Sequence, residues 1–306
     1  MKQPSAIGID VGGTKIALGR VRGDGMIIRS CSIETKGPGG FDGAMARLMQ
    51  TIAEMSSEDA GLEAACGIGI GCPGPLNPRA GTIHNPYTLP EWEDRNIVQP
   101  LAERFGVPVR LENDADVAAL AEERFGAGRE CNPVAMLTFG TGVGSAVIIA
   151  GRIYRGVGGE HPEMGHLQVV ADGPPCYCGG VGCLETVASG TAIATAGRML
   201  GMDNAGQVFE AAAAGHVDAR RIIERAVAAT EAVAWAILHT YLPQRIVLGG
   251  GMMDHHFELL APAVRRAIAR AKLIPRQQVD VVRAQLANRA GIVGAAALCF
   301  SWSQAT

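Results

Sequence analysis

One short segment of the sequence concentrates side chains that bind metal ions. Residues 160–185 are rich in glycine and proline and contain one imidazole and three thiols: His166, Cys176, Cys178 and Cys183. An imidazole and three thiolates are the donors of a closed tetrahedral zinc site, and the glycines among the cysteines let the backbone fold back tightly enough for several sulfurs to reach one ion. A pair of disulfides or buried free thiols is the alternative, which the rarity of bridges within Cys-x-Cys pairs disfavours.

Carboxylates flank this cluster and recur at a second place in the chain. Glu163 and Glu185 bracket the cysteines, so a metal that fixes their loop would also fix two acids, as in the wall of a small-molecule site. Asn113 and Asp114 stand between an apolar run at 107–111 and an amphipathic stretch. Asn and Asp at a helix start usually serve as N-caps, but the end of a strand is also where α/β proteins place their chemistry.

Two glycine-rich turns are suited to binding phosphate. In the first, Asp10 is followed by glycines whose backbone N–H groups phosphate oxygens can approach closely, and by a hydroxyl and a cation: Gly12, Gly13, Thr14 and Lys15. The second consists of Gly140, Thr141 and Gly142. It joins two predicted strands instead of opening a helix, which disfavours a Rossmann site and favours a phosphate-binding hairpin. For the first turn, a simple reversal of the chain is the alternative.

A third turn follows the apolar run that ends at Leu248. It consists of three consecutive glycines: Gly249, Gly250 and Gly251. Without side chains there, a flat ring has room to lie on the backbone, although a plain flexible turn is the alternative. The sequence contains no Gly-x-x-x-x-Gly-Lys-Ser/Thr motif, which excludes a P-loop kinase of the usual signature.

Taken together, these motifs resemble a known family. Glu-x-Gly-His from Glu163, followed by Cys-x-Cys-Gly-x-x-Gly-Cys-x-Glu from Cys176, resembles the zinc-containing signature of the ROK family of bacterial sugar kinases and sugar-responsive repressors. The resemblance extends over nearly the whole chain. It implies an ATP-dependent kinase of the actin and hexokinase superfamily, with Mg²⁺ and a structural Zn²⁺ as cofactors.

The resemblance also implies a role for individual residues. Asp114 would be the general base, Asp10 would position Mg²⁺ through water, and the second ring nitrogen of His166 would donate to a sugar hydroxyl. The zinc ligands would be His166, Cys176, Cys178 and Cys183. Sugar contacts would come from Gly74, Asn85, Asn113, Asp114, Glu163, His166 and Glu185. The ATP-binding residues would be Asp10, Gly12, Gly13, Thr14, Lys15, Gly140, Thr141, Gly142, Gly249, Gly250 and Gly251.

The order of elements predicts two α/β domains of the ribonuclease-H-like, actin-like kind with a cleft between them. Short apolar strands alternate with helical patterns along the chain. We expect an N-terminal domain over residues 1–115, onto which a last helix at 288–306 packs back. The second domain, with the zinc motif, would cover residues 116–287.

Composition narrows the class of protein further. The 306 residues are 48% hydrophobic and carry a net charge of −3, so no basic surface for nucleic acid is indicated. No signal peptide or membrane-spanning segment is evident, which predicts a cytoplasmic protein. The remaining cysteines are isolated in the sequence, as reduced buried thiols are: Cys31, Cys66, Cys72, Cys131 and Cys299.

Substrate identity is the least determined feature. The Glu-Asn-Asp run at 112–114 with a Cys-x-Cys cluster resembles glucokinases and N-acetylhexosamine kinases, whereas residues 161–166 resemble the fructokinase branch. We expect glucose to be phosphorylated to glucose 6-phosphate, with fructose and N-acetylated hexosamines as alternatives. A non-catalytic sugar sensor is the alternative class, which the presence of Asp114 and of both phosphate loops disfavours. The resemblance suggests a homodimer or a dimer of dimers.

Overall fold

The computed structural model describes residues 4–57 and 65–300. The strands are β1 Ser5–Val11, β2 Lys15–Arg22, β3 Ile27–Glu34, β4 Ile68–Cys72, β5 Leu76–Asn77, β6 Thr82–Ile83, β7 Arg95–Asn96, β8 Val109–Asn113, β9 Val134–Phe139, β10 Val143–Ile149, β11 Arg152–Ile153, β12 Arg245–Gly249 and β13 Asp280–Arg283. The helices are α1 Gly40–Ser57, α2 Val98–Phe105, α3 Asp114–Phe125, α4 Glu185–Ala188, α5 Gly190–Arg198, α6 Ala205–Ala213, α7 Val217–Tyr241, α8 Met253–Arg270 and α9 Ala290–Ala297.

The chain folds into two compact units. Unit 1 contains the residues up to 125 together with those from 288 onward, and unit 2 contains residues 126–287. The sequence placed the first boundary at 115/116 instead, which lies within α3. In the structure α3 packs inside unit 1, because Val117 contacts Gly71 of β4 through its side chain and Gly294 of α9 through its carbonyl.

The two units contain sheets of the same connectivity. Unit 1 has the strand order β3-β2-β1-β4-β8 and unit 2 the order β11-β10-β9-β12-β13. In each, an antiparallel meander supplies the first three strands and the last two add in parallel. Both units are therefore α/β with mixed sheets, as the sequence predicts. A small additional sheet, β5-β6-β7, belongs to unit 1.

Helix α9 lies directly on the unit 1 sheet, and glycines make this close approach possible. A Cβ at Gly8 of β1 would overlap the carbonyl oxygen of Ile292, and one at Gly69 of β4 would overlap that of Ala295. Strand β4 is buried along its whole length, as expected for a central parallel strand covered on both faces. The sheet and the helix thus meet backbone to backbone. The last part of the predicted segment 288–306 lies outside the described residues.

In unit 2, the long helix α7 provides much of the apolar core. Its buried positions recur at helical spacing and include Ile223, Val233 and Ile237. The helix ends at Tyr241, and the next residue, Leu242, adopts a left-handed conformation immediately before Pro243, as the position of that proline predicts. Over the part of the chain that the structure describes, no helix combines the length and the apolar character needed to cross a bilayer.

We predict that Gly69→Ala destabilises the protein strongly. The added methyl group would meet backbone atoms of α9, which cannot move aside as a flexible side chain would. Overpacking of this kind costs about 1–3 kcal/mol or more. Equilibrium denaturation by urea measures the loss in the free energy of unfolding.

The matched control is Gly23→Ala in the same unit, where the new Cβ would make only ordinary contacts with Pro4. We expect its free energy of unfolding to stay within about 0.5 kcal/mol of the parent. Equal stability of the two variants would contradict the proposed close packing of α9 on the sheet.

Candidate active site and metal site

Asp10 lies in β1 opposite Gly71 of β4, close to the carboxyl ends of both strands. Its carboxylate also faces the start of α9, where a Cβ at Gly291 would overlap it. Burial, and then the negative charge of Asp114, raise the pKa of Asp10 from 3.8 to about 6, while Lys15 acts in the opposite direction. The two carboxylates are therefore close enough to repel each other, which is a suitable environment for a cation.

The turn after β1 is tightly tied to its neighbours. Gly12 N donates to Lys15 O at 2.9 Å, and Thr35 Oγ1 donates to Gly12 O at 2.6 Å. A Cβ at Gly13 would lie 2.8 Å from Thr88 Cγ2 and 3.3 Å from Thr88 O, so packing already favours a glycine there. The glycines of this predicted phosphate loop thus have a structural function in addition to the predicted approach of phosphate.

Asp114 is the exposed residue at the point where β8 ends and α3 begins. The strand register pairs Cys72 of β4 with Asn113 of β8, which places both strand ends at one edge of the sheet. Ala115 N donates to Asn113 Oδ1 and to Asp114 Oδ1, each at 2.8 Å. Both residues therefore take part in capping α3, and the carboxylate of Asp114 remains accessible, as a general base must be.

Asn85, a predicted sugar contact, is occupied within the protein. It is 1% exposed, its Nδ2 donates to Pro73 O at 3.2 Å and Gly74 O at 2.7 Å, and its Oδ1 accepts from Tyr87 N and Thr88 N. The structure therefore assigns it the role of fixing the Pro/Gly loop after β4. That loop lies beside Asn113, whose Nδ2 would be 3.3 Å from a Cβ at Gly74.

In unit 2, the four predicted metal ligands converge. The ligand atoms of His166, Cys176, Cys178 and Cys183 all lie within 4.8 Å of one another. Cys178 Sγ is 3.6 Å from Cys183 Sγ, and Cys176 Sγ is 3.4 Å from His166 Nδ1. Zn–S bonds of about 2.3 Å in a tetrahedron separate two sulfurs by about 3.8 Å, whereas a disulfide requires about 2.05 Å. The donor set and its spacing therefore fit zinc and not a disulfide.

The segment that carries Glu163 is fastened to strand β10. Ser145 Oγ donates to Pro162 O at 2.7 Å and accepts from Met164 N at 2.8 Å. A Cβ at Gly165 would overlap the carbonyl oxygen of Val143, which explains the glycine in Glu-x-Gly-His. Glu163 itself is exposed and lies near a neighbouring imidazole, with its Oε1 3.4 Å from His161 Nε2.

Glu185 connects the metal segment with the second glycine turn. Its Oε2 accepts a hydrogen bond from Val143 N at 2.8 Å, and a Cβ at Gly142 would lie 2.5 Å from the same oxygen. Gly190 N also donates to Gly140 O at 2.8 Å. Glu185 is therefore linked to the hairpin that contains Gly140 and Gly142. The sequence analysis missed this link, because a glycine in one segment does not mark an acid in a distant segment as its neighbour.

Tyr177 is a further residue that the sequence analysis missed. Its hydroxyl lies 3.2 Å from His166 Nε2, the ring nitrogen that was expected to donate to a sugar. Burial, and then the Glu185 carboxylate to which it is hydrogen-bonded, raise the pKa of the phenol, which therefore stays neutral. Its position between two cysteines of the Cys-x-Cys motif was the available signal.

The triple-glycine turn needs its glycines for different reasons. Gly250 has φ +85° and faces the backbone of Phe139, and a Cβ at Gly249 would lie 2.7 Å from Met136 Cε. Around Gly251 there is no atom within 4 Å of the Cβ position. Of the three, the structure leaves open space only beside Gly251, so the predicted room for a flat ring is narrower than three consecutive glycines suggest.

Comparison with known proteins identifies relatives over almost the full length. A family model described as "ROK family" matches residues 6–301. The glucokinase of Thermotoga maritima is 32% identical over 314 aligned positions, covering 97% of this chain and 98% of that protein. A ROK hexokinase structure from Thermus thermophilus matches with a TM-score of 0.85 at 33% identity, over 96% of this chain and 97% of that chain.

A further solved structure was determined with bound ligands. The ROK family glucokinase from Streptomyces griseus, in complex with glucose and AMPPNP, matches with a TM-score of 0.75 at 31% identity, over 96% of this chain and 98% of that chain. These matches confirm the predicted fold class, that of the actin-like ATPase and hexokinase superfamily.

We predict that Asp10→Asn stabilises the protein at neutral pH in the absence of Mg²⁺ and nucleotide. Because the pKa of Asp10 is higher in the folded state, its protonated form contributes stability below about pH 4 that is lost as the pH rises through about 6. At pH 7.5 the ionised carboxylate therefore costs about 3 kcal/mol, which asparagine avoids. Urea denaturation at pH 7.5 and at pH 4 measures the difference.

The control is Asp24→Asn, because the neighbouring Arg22 lowers the pKa of that exposed carboxylate. Asp24→Asn should not stabilise the protein at either pH. The explanation for Asp10 fails if Asp10→Asn is no more stable than the parent at pH 7.5, or if its advantage does not diminish at the lower pH.

Proposed function

The chain belongs to the ROK family, and from this premise we propose that it is an ATP-dependent hexose kinase, with the primary hydroxyl of glucose as phosphoryl acceptor. The observation that carries the proposal is Asp114, an exposed carboxylate where β8 ends, close enough to Asp10 to raise its pKa. The glucokinase names of relatives at about one-third identity support the same activity.

Proton transfer is the task that unit 1 contributes. Asp114 accepts the proton of the attacking hydroxyl, and the hydrogen bond from Ala115 N at 2.8 Å holds its Oδ1 in place. Asn113, 8% exposed and fixed by its own bond to Ala115 N, orients the sugar beside it. Phosphoryl transfer needs positioning of the reactants more than covalent chemistry from the protein. Asp114 and Asn113 supply this positioning for the sugar.

Mg²⁺ fits the environment of Asp10. The repulsion between Asp10 and Asp114 is relieved by a cation, and a carboxylate is the ligand type that Mg²⁺ prefers, usually with part of its hydration retained. When bound, the ion neutralises charge on the phosphates. The hydroxyl of Thr14 and the amine of Lys15 supply a further donor and a positive charge at the same turn.

Zn²⁺ fits the cluster of His166 and the three cysteines. We assign it a structural role, because all four donors come from the protein and leave no open coordination position. With zinc bound, the loop would be fixed and would hold Glu163 and Glu185, the proposed contacts for sugar hydroxyls in unit 2. His166 would bind the metal through Nδ1, which faces Cys176, because its Nε2 faces the Tyr177 hydroxyl.

A direct test is ADP release from Mg²⁺-ATP by the purified protein, with glucose, fructose, mannose, N-acetylglucosamine and N-acetylmannosamine as acceptors. We expect glucose to have the highest kcat/KM. Asp114→Asn should lower kcat by about two to four orders of magnitude, the range for loss of a general base, while the sugar KM changes little. Asp24→Asn, remote from the site, is the matched control with unchanged kcat.

Other outcomes have distinct meanings. A higher kcat/KM with fructose or an N-acetylated hexosamine would keep the kinase and correct the substrate. Full turnover in Asp114→Asn would remove that residue from the role of base. No ADP release with any sugar, from protein that contains zinc, would reject the proposed hexose kinase.

We also predict that Cys178→Ser releases zinc and weakens sugar binding together. Loss of one thiolate opens the site, and the loop that carries Glu185 and His166 loses its anchor. Metal content by mass spectrometry and glucose affinity by calorimetry check the two effects in the same sample. Cys31→Ser, which changes an exposed thiol outside the cluster, should retain both; normal glucose affinity in a zinc-free variant would refute the coupling.

A further inference from the structure

Tyr177 reaches the side chains that the proposed kinase uses to recognise its sugar. The residue is 69% exposed, yet its hydroxyl lies 3.2 Å from His166 Nε2 and is hydrogen-bonded to the Glu185 carboxylate. The ring stands edge-on to the imidazole, with centroids 5.1 Å apart and planes at 85°. A largely exposed side chain thus directs its one polar atom to two proposed substrate contacts.

The surrounding structure limits which atoms of His166 and Glu185 are available to a ligand. His166 Nδ1 faces Cys176, so Nε2 is the nitrogen that remains for a ligand. Glu185 Oε2 already accepts from Val143 N. A phenol hydroxyl and a sugar hydroxyl are both single O–H donors with acceptor lone pairs, so one can replace the other at this position without a change in the protein's hydrogen-bonding groups.

We propose that, in the sugar-free protein, the Tyr177 hydroxyl occupies the position of a substrate hydroxyl beside His166 and Glu185, and that sugar binding displaces it. This inference rests on the proposed function. Because the residue is mostly exposed, the ring can leave by rotating into solvent. Binding then requires a sugar hydroxyl that restores both hydrogen bonds, so Tyr177 lowers the affinity for every ligand and discriminates against those lacking a hydroxyl there.

The test is equilibrium binding of glucose, measured by calorimetry without nucleotide, to the full-length wild-type protein and to Tyr177→Phe. The variant keeps the ring against His166 and removes only the competing hydroxyl. We expect its Kd for glucose to fall about 3- to 30-fold, the effect of one or two net hydrogen bonds, with zinc content unchanged. Tyr154→Phe, another partly exposed tyrosine of unit 2, is the matched control and should bind as the wild type does.

The outcomes distinguish failure of the Tyr177 proposal from failure of the proposed kinase function. Tighter binding by Tyr177→Phe, or binding only by that variant, supports displacement. Equal or weaker binding by Tyr177→Phe overturns it, and leaves the kinase proposal intact provided that the wild type binds and phosphorylates glucose. If neither protein binds any hexose of the panel, the proposed function and the role of Tyr177 are both overturned.

Discussion

The burial of Asp10 at the end of β1 is the constraint around which unit 1 is arranged. A carboxylate in this position loses hydration and is repelled by Asp114, and the upward shift of its pKa to about 6 expresses this cost. The site nevertheless brings the two acids together, because parallel pairing of β1, β4 and β8 places their ends at one edge of the sheet. The arrangement opposes stability, and strongly shifted pKa values of this kind cluster at functional sites.

The same topology recurs in unit 2 with a different arrangement of charge. Its sheet has the connectivity of unit 1, and its corresponding turn, residues 140–142, also joins the first two strands of the meander. Here the neighbouring acid, Glu185, is not crowded by another carboxylate but receives the Val143 amide at 2.8 Å. One connectivity thus supports a strained acid pair in unit 1 and a hydrogen-bonded acid beside a Cys/His cluster in unit 2.

The sequence predicted the features that depend on local pattern. Strands, helices and the glycine turns follow from periodicity and from residues such as Pro243, and the metal ligands lie within eighteen positions of one another. Contacts between distant residues were not predictable, because nothing in one segment marks its partner. The four backbone contacts of Asn85 and the link from Glu185 to Val143 are of this kind, as is the packing of α9 on Gly8 and Gly69.

The structure also gives a physical meaning to the two conflicting signals for substrate identity. His161, part of the fructokinase-like run, lies 3.3 Å through Nδ1 from Ser145 O and 3.4 Å through Nε2 from the Glu163 carboxylate. It is therefore placed to orient Glu163, and not itself to be a principal sugar contact. Sugars that differ in one hydroxyl are discriminated best by polar groups that would be left unpaired. On this basis the proposed preference for glucose depends on how Glu163, Glu185 and His166 are oriented. The fructokinase-like run influences specificity only through Glu163.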